Sequence, residues 1–517
     1  MSINKSIAKS AGVIGIATLC SRILGFIRDV VIARLFGVYV YAQAFIIAFR
    51  IPNLFRDLVG EGASNAALVP VFSEYSAKRS KEEFWELANV VLNLLLVVLM
   101  AITLLGVIFS PQIVHLIAPG FAADPYKLAT TVKLNRLIFP YILLISLSAY
   151  STGILNSLKH FAWPAFAPCL LNISIILCAM FFGEGTRGLA AGVLLGGVLQ
   201  LLVQLPVLYK KGFRLKLFQR FRHPAAKTIG LLMLPRLLSS SIYQLNNFVD
   251  SIFGSLAMIV GEGGVAILYF SYRLIQFPLG IFSTALSQAI LPTMSIQALE
   301  DGQVKLKHTL IFGLRATFFV MLPATVGFMV LSRPIIEGLF GGGRFDAYSA
   351  RQTADALLFY SLGLFAYGGT RILQQCFFAL KDTVSPTKNS VWALGLNILF
   401  NALLMFPMKI AGLALATSLS GIICFFMLFA RLQKKLGVLE LKPLLISFLK
   451  ILLASLGMGL VCYLINQRNF IPGSNTVLRL ANLCVVLIGG IISYIFFCFI
   501  LRLKEMEELW RLVVRKK

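Results

Sequence analysis

Five arginines sit inside stretches apolar enough to cross a bilayer: Arg22, Arg28, Arg50, Arg56 and Arg273. A cationic side chain at bilayer depth costs about 3 kcal/mol on insertion scales, so it is rare without a partner or a wet cavity. Several in one chain point to an internal, water-filled, positively charged cavity suited to an anionic cargo. Guanidinium planes hold phosphate or carboxylate oxygens in pairs and stay charged at any relevant pH. Arg22, Arg28, Arg56 and Arg273 are therefore the candidates for an anion clamp. At about 100° per residue, Arg22 and Asp29 share a helix face, and Arg28 lies roughly a third of a turn away. Arg50 shares a face with Asn53, and Pro52 between them can open the helix. Arg273 likewise stands just before a proline, Pro278. The plainer reading pairs these arginines with Asp29, Asp57 and Glu61, or lets them snorkel from helix ends. For Arg34 and Arg50 the two readings stand level. For the four clamp candidates the excess of positive over negative charge in these spans favours the cavity.

A second polar group comprises Asp250, Asn397, Asn401 and Thr417. Asn397 and Asn401 are four residues apart and share a helix face. One carboxylate, two amide oxygens and a hydroxyl would suit a hard monovalent cation such as Na⁺. Hydrogen bonding between helices, which commonly uses Asn and Thr, accounts for the same residues, and both readings stay open. No hydrolytic signature is present: no P-loop, no G-x-S-x-G and no H-E-x-x-H. His115, His160, His223 and His308 are scattered, and the eight cysteines lie in apolar runs without a CxxC pair. These absences favour a transporter over an enzyme.

The surrounding sequence is that of an integral membrane protein. Of 517 residues, 58% are hydrophobic and 13% charged, against about 25% charged in soluble domains. The mean hydropathy is +0.85. The net charge of +26 would suggest nucleic acid in a soluble chain. Here most Lys and Arg fall in short loops between apolar runs, so the positive-inside rule is the better account and no nucleic-acid partner is expected.

Lipid offers no partner to an unpaired backbone group, so long apolar runs imply helices. Spans are predicted near 9–36, 41–74, 86–111, 129–158, 162–183, 187–209, 228–258, 264–295, 308–332, 350–379, 384–406, 410–432, 443–466 and 478–502, about fourteen in all. The first resembles a signal peptide, but no A-x-A-like site follows Cys20, so it is read as an uncleaved span. Basic loops at 76–84, 210–227, 303–308, 381–388 and 431–442, with the tail bearing Arg511, Arg515, Lys516 and Lys517, alternate with loops of few positive charges. Both termini are therefore expected in the cytoplasm.

An internal repeat is visible. ALVPVFS (67–73) echoes AILPTMS (289–295), LNISII (171–176) echoes LNILFN (396–401), and GLAAGVLLGG (188–197) echoes GLALATSLSG (412–421). The offsets of 222, 225 and 224 residues signal duplicated lobes. About six spans fill one offset, which keeps both halves in the same orientation. The fold class is an all-α polytopic membrane protein with two pseudo-symmetric six-helix lobes, 1–227 and 228–436, the substrate cavity being expected between them. Residues 437–517 have no counterpart in the repeat and supply an extra two-helix hairpin and a basic tail.

Several segments carry a resemblance. SRILGFIRD, RIPNLFRDLVGEGASNAALVPVF, APGF (118–121), FPYILLISL (139–147), ILNSLKHFAWPAFAPCLLNI and ALKDTVSP resemble the MurJ/MviN family over essentially the whole chain. These are the lipid II flippases of bacterial peptidoglycan synthesis, within the multidrug/oligosaccharidyl-lipid/polysaccharide exporter superfamily. The resemblance implies two six-helix lobes plus two further helices in the bacterial inner membrane. It implies as substrate undecaprenyl-pyrophosphate carrying the disaccharide-pentapeptide, moved outward by alternating access, with membrane lipids and cell-wall synthesis proteins as partners. The family's essential cavity arginines match Arg22, Arg28, Arg56 and Arg273, and an adjacent cavity acid matches Asp29. The extra helix pair would line the path of the lipid tail. In some members a sodium ion binds at positions matching Asp250, Asn397, Asn401 and Thr417. This chain departs from the pattern at Gln43 and Gln276, where members often carry acids, and at Asn401, where some carry Asp. Loss of a ligand carboxylate weakens a hard-cation site. The remaining alternatives are a flippase for another polyprenyl-linked glycan, a multidrug antiporter, which cavity arginines disfavour, and a non-transporting scaffold for cell-wall enzymes.

Overall fold

The computed structural model describes residues 3–56, 67–183, 185–217, 221–300, 303–437, 439, 441–468 and 476–506. Asp57, Glu61, Arg220 and the basic residues of the tail lie outside these ranges. The fold comprises two compact units, Met1–Ala257 and Met258–Lys517. Among the described residues it is helical throughout, with one isolated β-bridge at Gly342–Phe345.

The first unit holds α1 (Ile3–Phe36), α2 (Val40–Phe55), α3 (Val69–Lys78), α4 (Lys81–Ile108), α5 (Ser110–Ile117), α6 (Pro125–Ile138), α7 (Tyr141–Ser157), α8 (Ala162–Phe182), α9 (Thr186–Leu202), α10 (Leu205–Lys211) and α11 (Pro224–Ser255). Local chemistry sets several of the starts. Ser80 Oγ accepts from Glu83 N at 3.1 Å ahead of α4, and Asp124 Oδ1 accepts from Lys127 N at 3.1 Å ahead of α6. α1 lies along α8, and α8 along α9. The α8–α9 seam needs small residues: a Cβ on Gly192 would lie 2.7 Å from Ile175 Cα, and one on Gly196 2.9 Å from Leu171 Cα. Close backbone approach of this kind holds helices together where lipid is as apolar as the side chains. Between α7 and the turn joining α9 to α10, Gln204 Nε2 donates to Ser148 Oγ at 2.8 Å and Thr152 Oγ1 donates to Gln204 Oε1 at 3.1 Å. α11 is tied to the APGF turn, where Gly120 N donates to Ser255 Oγ at 3.0 Å.

The second unit continues with α12 (Ala257–Val260), α13 (Gly264–Pro278), α14 (Thr284–Gln297), α15 (Val304–Leu339), α16 (Ala347–Ser361), α17 (Leu364–Ala379), α18 (Val384–Leu436), α19 (Leu441–Arg468) and α20 (Thr476–Ile500). At about 1.5 Å per residue, the 53 residues of α18 would be far longer than a hydrocarbon core of about 30 Å. The helix breaks at Lys409 (φ 54°, ψ −131°), just after Pro407, which gives the two arms expected from the sequence. α15 is central, packing on α16, α17, α19 and α20. Phe318 of α15 meets Phe365, Phe425 and Phe448 from three other helices.

Nine helices among the described residues are long and apolar enough to cross a membrane, or ten if α16 and α17, bent by 43°, form one span. Each range read from the sequence as a span holds helix where it is described; within 41–74, α2 reaches Phe55 and α3 begins at Val69, and residues 57–66 lie outside the described ranges. Sequence duplication and packing also divide the chain at different places. The repeat separates residues at 227/228, whereas α11 packs on α4 and α5 and so joins the first compact unit.

The connection between α17 and α18 is pinned by charge. Asp382 accepts from Lys435 Nζ at 2.7 Å, Ser385 N at 2.9 Å and Ser385 Oγ at 2.8 Å. The Lys435 ammonium and the Ser385 N–H hold the Asp382 carboxyl down at about 2. A depressed carboxyl stabilises the fold above the unfolded-state value of about 3.9, and that stabilisation disappears as pH falls toward the folded value. Pepsin should therefore cut the 380–383 connection faster as pH drops from about 4 to about 2. Asp382→Asn should remove most of that dependence; an unchanged pH profile in the variant would refute the assignment.

Candidate functional site

The arginine sites are built around α1 in the first unit. Arg28 and Asp29 are 5% and 1% exposed, although they sit in a helix designed by its composition to meet lipid. Arg28 Nη2 and Nε both donate to Asp29 Oδ1, at 2.6 and 3.0 Å. Arg28 Nη1 donates to Asn172 Oδ1 of α8 at 3.2 Å. The ring of Phe49 on α2 lies 6.0 Å from the guanidinium carbon. The buried charge is thus met by a carboxylate, an amide oxygen and an aromatic face, which is what keeps a cation tolerable in this setting.

Arg22 lies on the same face of α1 as Asp29 but in different surroundings. Its side chain is exposed while Asp29 is covered. Seven residues of helix separate the two by about 10 Å along the axis, so a common angular face does not give common surroundings. Arg56 is partly buried at the end of α2, with its backbone N–H bonded to Asn53 O and Pro52 O. Pro52 does not end α2, which continues to Phe55. Arg50 Nη1 donates to the backbone carbonyl of Asn247, so it ties α2 to α11. Asp250 is partly buried on α11, and Ser251 Oγ bonds back to Asn247 O at 3.0 Å. Gln43, one of the departures from the family pattern, is buried on α2.

In the second unit Arg273 is partly buried on α13. Five residues later Pro278 ends the regular helix, and Leu279–Ser283 forms a π-helical turn before α14. A proline cannot donate to the preceding turn, so such a break is expected there. Arg371 of α17, a residue the sequence reading left aside, donates to Leu279 O at 3.3 Å and to Thr284 Oγ1. Ser283 Oγ adds a bond to Gly368 O at 3.1 Å. α17 therefore staples the broken helix that carries Arg273. Gln276 is exposed.

Asn397, Asn401 and Thr417 come together, fully buried, across the two arms of α18. Asn401 Nδ2 donates to Asn397 Oδ1 at 3.0 Å, and Asn397 Nδ2 donates to Thr417 Oγ1 at 3.1 Å. Asn401 Oδ1 is buried with no hydrogen-bond partner. Such an oxygen fits a hard cation. Among the described residues no group of three or more His, Cys, Asp or Glu could hold a metal ion. Asp250, the carboxylate of the sodium reading, belongs to the first unit.

Apolar helices of spanning length, buried charge on α1 and a stapled break in an arginine-bearing helix define a multi-pass helical membrane protein of the transporter class. Comparison with known proteins makes this specific. A sequence model described as lipid II flippase MurJ matches residues 32–481. A probable lipid II flippase MurJ from Buchnera aphidicola subsp. Acyrthosiphon pisum is 35% identical over 461 residues, covering 87% of this chain and 89% of the relative. One from Bdellovibrio bacteriovorus is 31% identical over 513 residues, covering 98% and 97%. The solved structure of a lipid II flippase MurJ in an inward closed conformation matches with a TM-score of 0.77 at 28% identity, covering 94% of this chain and 98% of that one. An inward-facing multidrug transporter of the MATE family matches at a TM-score of 0.66 and 16% identity, covering 81% and 95%, and so shares the fold. The chain belongs to the lipid II flippase MurJ family.

Proposed function

We propose that this chain carries lipid II, the undecaprenyl-pyrophosphate-linked disaccharide-pentapeptide, from the cytoplasmic to the periplasmic leaflet of the bacterial inner membrane by alternating access. The observation that carries the reading is the family match over residues 32–481. The second-ranked reading, a flippase for another polyprenyl-linked glycan, shares the diphosphate chemistry but lacks that match.

The mechanism follows from charge. Arg22, Arg28, Arg56 and Arg273 hold the pyrophosphate, and Asp29 sets the orientation of Arg28. The sugar-peptide head enters the wet cleft while the tail stays in lipid beside α19 and α20. Release on the periplasmic side requires affinity for the anion to fall in the outward state, because a ligand held equally in both states shifts nothing. A membrane potential positive outside favours outward movement of negative charge by about 2.3 kcal/mol per charge per 100 mV. An even number of crossings would put both termini on one side of the membrane, and the basic loops would make that side the cytoplasm. Association with cell-wall synthesis proteins would place the carrier beside the enzymes that consume its cargo.

Asp250, Asn397, Asn401 and Thr417 would together hold a sodium ion, whose gradient could supply energy to reset the cycle. Asn401 Oδ1, buried without a hydrogen-bond partner, is the oxygen that would face it. If so, Asp250→Ala lowers flipping in sodium-rich buffer toward the rate seen without sodium. Equal wild-type rates in sodium-free and sodium-rich buffers would discard the ion.

The reading is tested by expressing the chain in a bacterium depleted of its own lipid II flippase. Restored growth and normal wall synthesis are expected. Stable membrane insertion without rescue would contradict it.

A further inference from the structure

The duplicated segments place Asn172 and Asn397 at equivalent positions, 225 residues apart. The neighbours of the two asparagines differ. Ile176 stands at the position of Asn401, and Val193 at that of Thr417, so the amide of the first repeat has lost both polar companions of the second.

The two amides are accordingly used differently. Asn397 Oδ1 accepts from the neighbouring Asn401 amide at 3.0 Å. Asn172 Nδ2 donates to Ser21 O of α1 at 3.2 Å and to Pro168 O at 3.3 Å. These two bonds fix which way the amide points, because its nitrogen must face the carbonyls. Its oxygen is then turned to the Arg28 guanidinium. Asp29 Oδ1 closes the other side, and Asn172 itself is 7% exposed.

We propose that Asp29 and Asn172 form a cation cage in the first repeat, that its resident cation is the Arg28 guanidinium, and that Asn172 is a positioning residue for the anion clamp. The cage explains how a buried arginine can be oriented without being wholly surrendered to its neighbouring acid. Asp29 takes the Nε–Nη2 edge, and Asn172 holds the Nη1 side. Without Asn172 the guanidinium keeps its charge but loses its fixed plane, and bidentate capture of a diphosphate depends on that plane. The functional part rests on the reading of Arg28 as a clamp residue.

The test uses the purified full-length protein and ¹⁵N-guanidinium chloride as probe. Arg28→Ala empties the cage of its tethered cation, so this variant should bind guanidinium at least about tenfold more tightly than Arg28→Ala/Asn172→Leu, the worth of one hydrogen bond to a charged group. Ammonium, which lacks the planar fork, should compete poorly. In the otherwise unaltered chain, Asn172→Leu should shift the Arg28 side-chain ¹⁵N resonances and weaken undecaprenyl-pyrophosphate binding about tenfold. Asn172→Gln should recover part of that loss. Equal guanidinium binding with and without Asn172, or unchanged Arg28 resonances in Asn172→Leu, would overturn the cage. Guanidinium binding that depends on Asn172 but never restores lipid pyrophosphate binding to Arg28→Ala would uphold the cage and remove the clamp.

Discussion

Arg28→Ala protein is expected to reach the membrane and to fail to support growth of a strain that depends on it. The guanidinium donates to Asp29 Oδ1 from Nε and Nη2 and to Asn172 Oδ1 from Nη1, at a position 5% exposed. Each bond to a charged group is worth about 1.5–3 kcal/mol, so losing two such bonds to a diphosphate lowers affinity by about a hundredfold or more. The substitution also leaves the Asp29 carboxylate without its counter-ion, a penalty of about 3–5 kcal/mol for a buried pair. Arg28→Ala/Asp29→Ala separates the two effects by removing the stranded acid. The double variant should accumulate like the wild type and still fail to grow, as should Arg273→Ala. Growth restored by the double variant would show that Arg28 serves only to neutralise Asp29.

Arg315→Ala is expected to be the most damaging change in the second unit, through stability. Arg315 Nε lies 2.7 Å from Glu505 Oε1 and 3.0 Å from Ser447 Oγ, and Ser447 also bonds to Glu505. Glu505 is 4% exposed and follows the last helix. Burial pushes its carboxyl up, but the bonds from Arg315, Ser447 and the backbone outweigh burial and leave it below its usual range. Lys450 Nζ to Leu501 O at 2.9 Å and Tyr494 OH to Phe319 O at 2.7 Å fasten the same junction of α15, α19 and α20. Removing Arg315 strands a buried carboxylate, and about 3–5 kcal/mol of stability goes with it. The detergent-solubilised variant should lose several degrees of melting temperature, and Arg315→Ala/Glu505→Gln should regain much of it. A melting temperature equal to wild type would mean that the pair holds nothing together.

The broad architecture was legible because its signals are local or periodic. Long apolar runs gave the helices and separated 384–406 from 410–432, where α18 breaks at Lys409, and Pro278 marked the break after Arg273. The site was legible only in part. Helix geometry sends neighbouring side chains about 100° apart, so spacing alone did not choose between an open cavity arginine and the plainer pairing with Asp29, which Arg28 makes. Asn172, 144 residues from Arg28, was visible as a repeated position but not as a partner. Residues 503–506 were read with a basic tail, and one acid in that company gave no sign that it would be buried. Arg315 could have been found by the rule that picked out the other arginines, since it too lies inside an apolar span.

On the function proposed above, guanidinium groups of a two-unit helical carrier hold a lipid-linked diphosphate and deliver it across the bilayer. The most direct measurement is depletion of this protein, followed by assay of which polyprenyl-linked precursor accumulates and in which leaflet. Lipid II should build up and stay shielded from a probe added outside the cytoplasmic membrane. Unchanged exposure of lipid II at the outer leaflet, or accumulation of a different lipid-linked glycan, would contradict it.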